Sequence, residues 1–313
     1  MPSLGLIEDR IPAGSPFDPA VYSHTLAGIP DGRLRLPFVL WGELTGRRDV
    51  SDQCLQESRA VEIKVDSDAY LCLSAVPQDC WQALPLASHD LVDAAGERSA
   101  DVTRALEHLA RSYPEGYKLF AEFVRMIAWV KLRDDRSEQD VEITSSSFPV
   151  LPFSVFVSSR ALSHIPPKTV AARDSYRFLA ENLFHEAVHQ AVNMNLLLHD
   201  IFTEDYNSST SPKVDIPWRA NNDQRNQRWE IDRTLHAAVV YGHLLGYRRR
   251  QLNDPGLESF EYAAFAEAAA EGLEAAKYLS QSLLRYERYF TTDGIKVIRS
   301  LAQEIGNLAQ SVG

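Results

Sequence analysis

Hydrophobic positions follow two regimes along the 313 residues. Through the first hundred residues the apolar stretches are short and interrupted by prolines. Residues 36–44 and 60–65 there predict strands or short buried pieces. Between 101 and 132, Leu106, Leu109, Leu119, Phe120, Phe123, Ile127 and Val130 recur at three- and four-residue spacing. This predicts a helical region broken at Pro114-Glu115-Gly116. A Ser/Pro turn follows, and then residues 153–158, Phe-Ser-Val-Phe-Val-Ser, whose β-formers predict a strand. From there the pattern is helical. Helices are predicted over 171–198, 227–252 and an alanine-rich 257–290. A fourth starts after Thr291-Thr292-Asp293-Gly294, with Ile295, Ile298, Leu301, Ile305 and Leu308 on one face. The polar segment 200–225 is long for a connection inside a compact domain, and reads as a lid or as a surface insertion. The expected fold class is α+β. Residues 1–140 form a mixed N-terminal half with short strands, and residues 141–313 a mainly helical half carrying the metal site, as two regions or one continuous domain.

Composition adds limits. Hydrophobic residues make up 45% and charged residues 24%, ordinary for a soluble globular chain. No apolar run approaches the ~20 residues that span a bilayer, so no membrane partner is expected. The first nineteen residues have neither a basic nor an apolar segment of the export type. Cys54, Cys72 and Cys80 are few and odd in number, which points to a reducing cytoplasm. A net charge of −11 argues against a nucleic-acid partner. The run Arg248-Arg249-Arg250 reads as cations suiting a helix C-terminus, or else as a local basic patch.

One motif changes the picture. His185-Glu186-Ala187-Val188-His189 is H-E-x-x-H inside a predicted helix. Four residues at about 100° each return the second histidine to within roughly 40° of the first. Two imidazoles on one helical face suit a single metal ion, and Glu186 lies close enough to orient or deprotonate a water held by it. The body of the helix is apolar (Phe178, Leu179, Leu183, Phe184, Val188, Val192, Leu196), so the pair sits on a helix that packs.

A third ligand is required. The extended motif H-E-x-x-H-x-x-G-x-x-H is absent, because Val192 and Asn195 stand where its glycine and histidine would be. Glu230 lacks an E-x-x-x-D context. His199 lies some 15 Å along the axis and off the ligand face if the helix continues. His236 is the best candidate, on the next predicted helix beside small alanines that permit close packing. His243, seven residues on, is the reserve.

At this point the chain resembles the HExxH-type peptide β-hydroxylases, 2-oxoglutarate- and iron-dependent enzymes that modify ribosomally made peptide natural products. The resemblance runs over residues 145–247. It rests on the strand 153–158, the HEAVH helix, Pro217-Trp218-Arg219 and Leu235-His236-Ala237-Ala238. The stretch after Arg219, Ala-Asn-Asn-Asp-Gln-Arg, departs from the family's Arg-Pro. The resemblance implies iron(II), 2-oxoglutarate as cosubstrate, a precursor peptide as substrate and room for a dedicated partner protein in peptide recognition.

Such an oxygenase needs three protein ligands on one face of the iron, leaving positions for the cosubstrate and dioxygen. No His-x-Asp or His-x-Glu occurs in the chain, so the helical motif would have to supply them. The cosubstrate's distal carboxylate suits a guanidinium fork, with Arg219 and Arg233 the candidates, and Trp218 would wall the site. The competing class is a zinc peptidase with His185, His189 and His236 as ligands and Glu186 as general base. A non-catalytic binding protein with a degenerate site is a third class, against which the intact motif speaks.

Overall fold

Six strands between residues 59 and 157 pair into one mixed sheet. The computed structural model describes residues 6–7, 11–29, 31–86, 88–135, 141–219 and 227–310. Among the described residues the α-helices α1 (Ser23–Leu26), α2 (Leu36–Thr45) and α3 (Arg48–Glu57) precede the sheet. The sheet region then runs β1 (Arg59–Val65), β2 (Asp68–Ala75), α4 (Gln78–Ala83), β3 (His89–Val92), α5 (Glu97–Ser112), α6 (Pro114–Phe123), β4 (Met126–Leu132), β5 (Ser145–Phe148) and β6 (Leu151–Val157). The strand order is β1-β2-β4-β6-β5, with β3 pairing β4 off that path. β2, β4 and β6 are parallel neighbours, while β1 and β5 close the two ends antiparallel. Short strands β7 (His164–Ile165) and β8 (Thr169–Val170) lead into α7 (Tyr176–Leu198). The remainder is β9 (Val214–Asp215), β10 (Arg228–Trp229), α8 (Ile231–Leu252), α9 (Ser259–Leu284) and α10 (Thr292–Gln310). The fold is α+β.

The chain divides into two units that interleave in sequence. Residues 10–190 and 254–264 form the sheet-bearing unit, and residues 1–9, 191–253 and 265–313 form a helical one. The sequence reading divided the chain once, at residue 140. Among the described residues no helix is long and apolar enough to cross a membrane.

Several expected elements take another form. Residues 36–44, expected as strands or short buried pieces, lie in helix α2, where residues 36–42 are all buried. An apolar run buried on every side carries no period to tell helix from strand, and Gly46 ends this one in the left-handed region at φ 71°. The helical region expected to continue to 132 stops at Phe123, and Met126–Leu132 is the central strand β4. Ile127 and Val130 match helical spacing only because a strand covered on both faces is continuously apolar. The expected Ser/Pro turn is partly strand, since Ser145–Phe148 forms β5. The last four helices occur as expected, with α7 beginning at Tyr176 and α9 ending at Leu284. Arg249 and Arg250 are exposed in the last turn of α8, as the helix-end reading expects. Arg248 instead is fully buried, and its guanidinium donates to the Ala268 carbonyl at 2.7 Å. Gly272 leaves room for it, since a Cβ there would meet that guanidinium at 2.7 Å.

Within segment 200–225 the described part is anchored in the helical unit. Phe202 bridges to Phe290, the Tyr206 hydroxyl donates to Asp232 at 2.7 Å, and Lys213 pairs with Glu230 at 2.6 Å. Residues 220–226, which include the departure from the family pattern, lie outside the described residues, as do residues 1–5 and 8–10 of the nineteen read for export signals.

Residues 176–190 of helix α7 belong to the sheet-bearing unit. Phe178, Leu179, Leu183, Phe184, Ala187 and Val188 are all fully buried, so the helix is covered on more than one side. Phe184 meets Tyr113 edge-on at 5.5 Å, and Gly116 is required there because a Cβ would stand 2.3 Å from the Tyr113 ring. At the N-terminal end of α7, buried Arg177 pairs with Asp254 at 2.6 Å and Glu261 at 3.4 Å. Ser175 donates to Glu261 as well.

Removing Arg177 would leave the buried Glu261 without its cation, so Arg177→Met is expected to cost about 3–5 kcal/mol in urea unfolding. The Arg177 guanidinium, with the Gly256 amide, holds the Asp254 carboxyl below its ordinary value. A depressed folded pKa contributes stability that is present above the ordinary carboxylate range and fades as pH falls through the folded value. The stability gap between wild type and Asp254→Asn should therefore be full near neutrality and close progressively below about pH 4.

Candidate metal centre

The motif helix carries two adjoining polar ridges. His185 and His189 form one. Asn182, Glu186 and Gln190, also four apart, form the other, and all three are buried. Residues at this spacing stack on one face. The second ridge lies against β5 and β6. Asn182 Nδ2 donates to the Phe178, His164 and Ala161 carbonyls at 2.9, 2.8 and 3.2 Å. Gln190 Nε2 donates to the Ser154 carbonyl at 3.1 Å.

Glu186 sits at the middle of this ridge. Ser145 donates its hydroxyl to Oε1 at 2.7 Å and Ser147 donates to Oε2 at 2.8 Å. Both serines come from β5, whose side chains alternate, so residues 145 and 147 face α7 while Phe148 packs its ring on Phe156 at 5.5 Å. Burial pushes the Glu186 carboxyl up to about 7, against the two serine bonds that hold it down. A neighbouring dication would lower it again.

The two imidazoles face each other. Nε2 of His185 and Nε2 of His189 stand 2.7 Å apart, with ring centroids 4.6 Å apart and planes 26° from parallel. Burial pushes His189 down to about 4, so the ring is neutral at ordinary pH. Neutral imidazole is the form that ligates a metal. Nitrogens at this separation either share a proton or converge on one cation. Donor atoms of His185, Glu186 and His189 lie within 4.8 Å of one another. The donor set therefore fits a divalent transition metal, with nitrogen ligands suited to zinc or iron.

His236 stands in the helical unit, half-buried on α8, and Arg233 lies three residues before it on the same side of the helix. His243 is buried, and burial pushes it down to about 4. His199 follows the end of α7. The structure gathers Arg219, Arg233 and Trp218 around a residue the sequence reading did not single out. The Arg219 and Arg233 guanidiniums lie 4.8 and 5.1 Å from the centre of the Trp229 ring. Trp218, 44% exposed, meets Trp229 edge-on at 6.2 Å and Tyr278 at 5.7 Å. Ser145, Ser147 and Asn182 were also missed. Asn182 had a signal, a polar residue one turn before Glu186 on a helix with a buried body. The serines had a weaker one, because alternate residues of a polar run just before a strand reach the same face.

An ionised Glu186 costs the metal-free protein stability. Its folded pKa lies above its ordinary 4.5, so that protein should lose stability as pH rises from there through about 7. Glu186→Gln removes this dependence. With metal stripped by chelation, the variant is expected to gain on wild type between about pH 4 and 8 in urea midpoints. A constant difference between the two proteins would contradict the assignment.

A scan of the chain against protein-family models found no match, and neither did a search of curated proteins.

Proposed function

We propose that this chain is an iron(II)- and 2-oxoglutarate-dependent dioxygenase that hydroxylates the β-carbon of a residue in a ribosomally made precursor peptide. The observation that carries this reading is the restraint on Glu186. Both of its oxygens accept serine hydroxyls, which suits a group that positions its neighbours more than one that must collect and deliver a proton. The Pro217-Trp218-Arg219 and Leu235-His236 pattern supports the same reading. Iron(II), with the cosubstrate and dioxygen, supplies the oxidation: one oxygen atom goes to the peptide C–H bond and the other to succinate, with loss of carbon dioxide.

The chain's own residues have separate tasks. His185 and His189 hold the metal as neutral imidazoles, and His236 is the proposed third ligand. Arg219 or Arg233 receives the cosubstrate's distal carboxylate, where a planar fork pairs with two oxygens. Trp229 lies against both guanidiniums, which limits their rotamers and lowers the entropy lost on pairing. Trp218 offers an apolar wall beside them. Glu186, fixed by β5, orients a ligand or a substrate amide.

One observation favours a second reading. Burial raises the Glu186 carboxyl and so makes it a stronger base than an exposed carboxylate, which is what a zinc peptidase would ask of it. Reconstitution with iron(II) without oxygen, followed by 2-oxoglutarate, is expected to give the charge-transfer band of the chelate. Succinate release should then follow on adding oxygen and peptide. Glu186→Gln should keep its metal and lose about 10–100-fold in succinate release. His185→Ala, His189→Ala and His236→Ala should each lose metal. A wild type that releases no succinate but cleaves casein with zinc, together with a metal-loaded but dead Glu186→Gln, would replace the dioxygenase by the peptidase.

A further inference from the structure

The two ends of the sheet are built differently. β1 carries Arg59, Glu62 and Lys64 along its seven residues, with Lys64 paired to Glu62 at 2.9 Å. Charges of this kind are the usual protection of an edge strand against a further strand. β5 has none: it reads Ser-Ser-Ser-Phe, and all four residues are partly exposed. It is also the strand bonded to Glu186.

Register fixes which groups face outward. Ser158 donates its amide to the Thr144 carbonyl at 3.0 Å, and Ser146 pairs with Phe156 two residues on. In an antiparallel ladder hydrogen-bonded and non-hydrogen-bonded pairs alternate. Thr144 and Ser146 therefore turn their amides and carbonyls toward β6. Ser145, opposite Val157, turns its own away from β6. Ser147 lies where the β5–β6 register shifts, between Ser146 and Phe148; both of those neighbours pair with β6, so along β5 itself the alternation turns the Ser147 amide and carbonyl away from β6. The same two residues send their hydroxyls to Glu186. No described residue pairs with β5 on its outer side.

We infer that the outer edge of β5 is the peptide-binding site: an extended segment of the substrate adds there as a further strand, bonded to the main chain of Ser145 and Ser147. The inference rests on the proposed peptide substrate and names how it is held. An extended chain presents a donor–acceptor pair at every second residue, which is the spacing of the outward groups at 145 and 147. A helix or a globular surface does not. The serines are small enough to admit a backbone, and their side chains connect the docked strand to the motif helix at Glu186, with the Ser145 hydroxyl also 3.3 Å from Asn182 Oδ1. Main-chain bonding would supply affinity with little demand on sequence, leaving choice of the reacting residue to pockets nearer the metal.

The test uses the full chain, metal-free, and a pool of blocked decapeptides of random sequence from which binders are selected on immobilised protein. Single N-methyl groups are then walked along the tightest binder. Expected is an alternating pattern: methylation at every second amide weakens binding about tenfold, and at the intervening amides it is tolerated. The Ser145 and Ser147 amides should exchange more slowly with solvent when the peptide is bound. No binder, a methylation profile without alternation, or unchanged exchange at both serines would overturn the inference. Turnover is scored separately. Alternation without succinate release would reject the dioxygenase and keep the strand site; succinate release without alternation would do the reverse.

Discussion

A buried carboxylate must find donors or take a proton, and in this protein that requirement sets where α7 lies on the sheet. Glu186 finds two serine hydroxyls, both on one short strand. Asn182 and Gln190, one turn to either side, find backbone carbonyls on β7 and β6. Together they make a polar seam through an otherwise apolar interface. Apolar contacts tolerate a helix that slides or rotates by some degrees, whereas three hydrogen-bonded residues on one ridge do not. His185 and His189 each precede a seam residue by one position. The seam therefore fixes the direction of both imidazoles, and the 2.7 Å approach of their nitrogens follows from it.

What could be read from the sequence divides along the same physical line. The HExxH pair was legible because its geometry is local: a helix alone brings residues 185 and 189 together. The last four helices were legible because each carries an apolar face over many turns. The central strand was not, since Met126–Leu132 is apolar on both faces and its spacing imitates a helix. Residues 36–44 were legible as a buried piece but not as a helix, for the mirror reason, since α2 is buried from residue 36 to 42. Ser145 and Ser147 lie about forty residues before Glu186, and nothing local marks a serine as the partner of a distant carboxylate. Trp229 was passed over because an aromatic next to a helix start is common, and its meaning comes only from the two guanidiniums that meet it.

The guanidinium–tryptophan cluster has its own logic. Arg219 comes from the turn after β9 and Arg233 from the first turn of α8, with Trp229 between them in sequence. A cation over an aromatic face keeps its hydrogen-bonding edge available, since the ring occupies only the flat side. Both guanidiniums meet one ring, and Arg233 also interacts electrostatically with the Glu230 carboxylate. That arrangement differs from Arg177, whose charge is met by Asp254 and Glu261 and which is thereby fixed as a structural group.

The Arg177 pairing also orders events during synthesis. Asp254 and Glu261 belong with the sheet-bearing unit, yet they emerge from the ribosome only after residues 191–253 of the helical unit. Until then Arg177, at the start of the motif helix, has no carboxylate from residues 254–264 to meet it. The sheet-bearing unit thus cannot complete itself as the chain's first autonomous product. A fragment ending at 253 would carry the whole HExxH motif and both serines of β5, but Arg177 at the start of its helix would lack Asp254 and Glu261. Separating the two units for study needs a graft of residues 254–264 onto the first, not a cut between them.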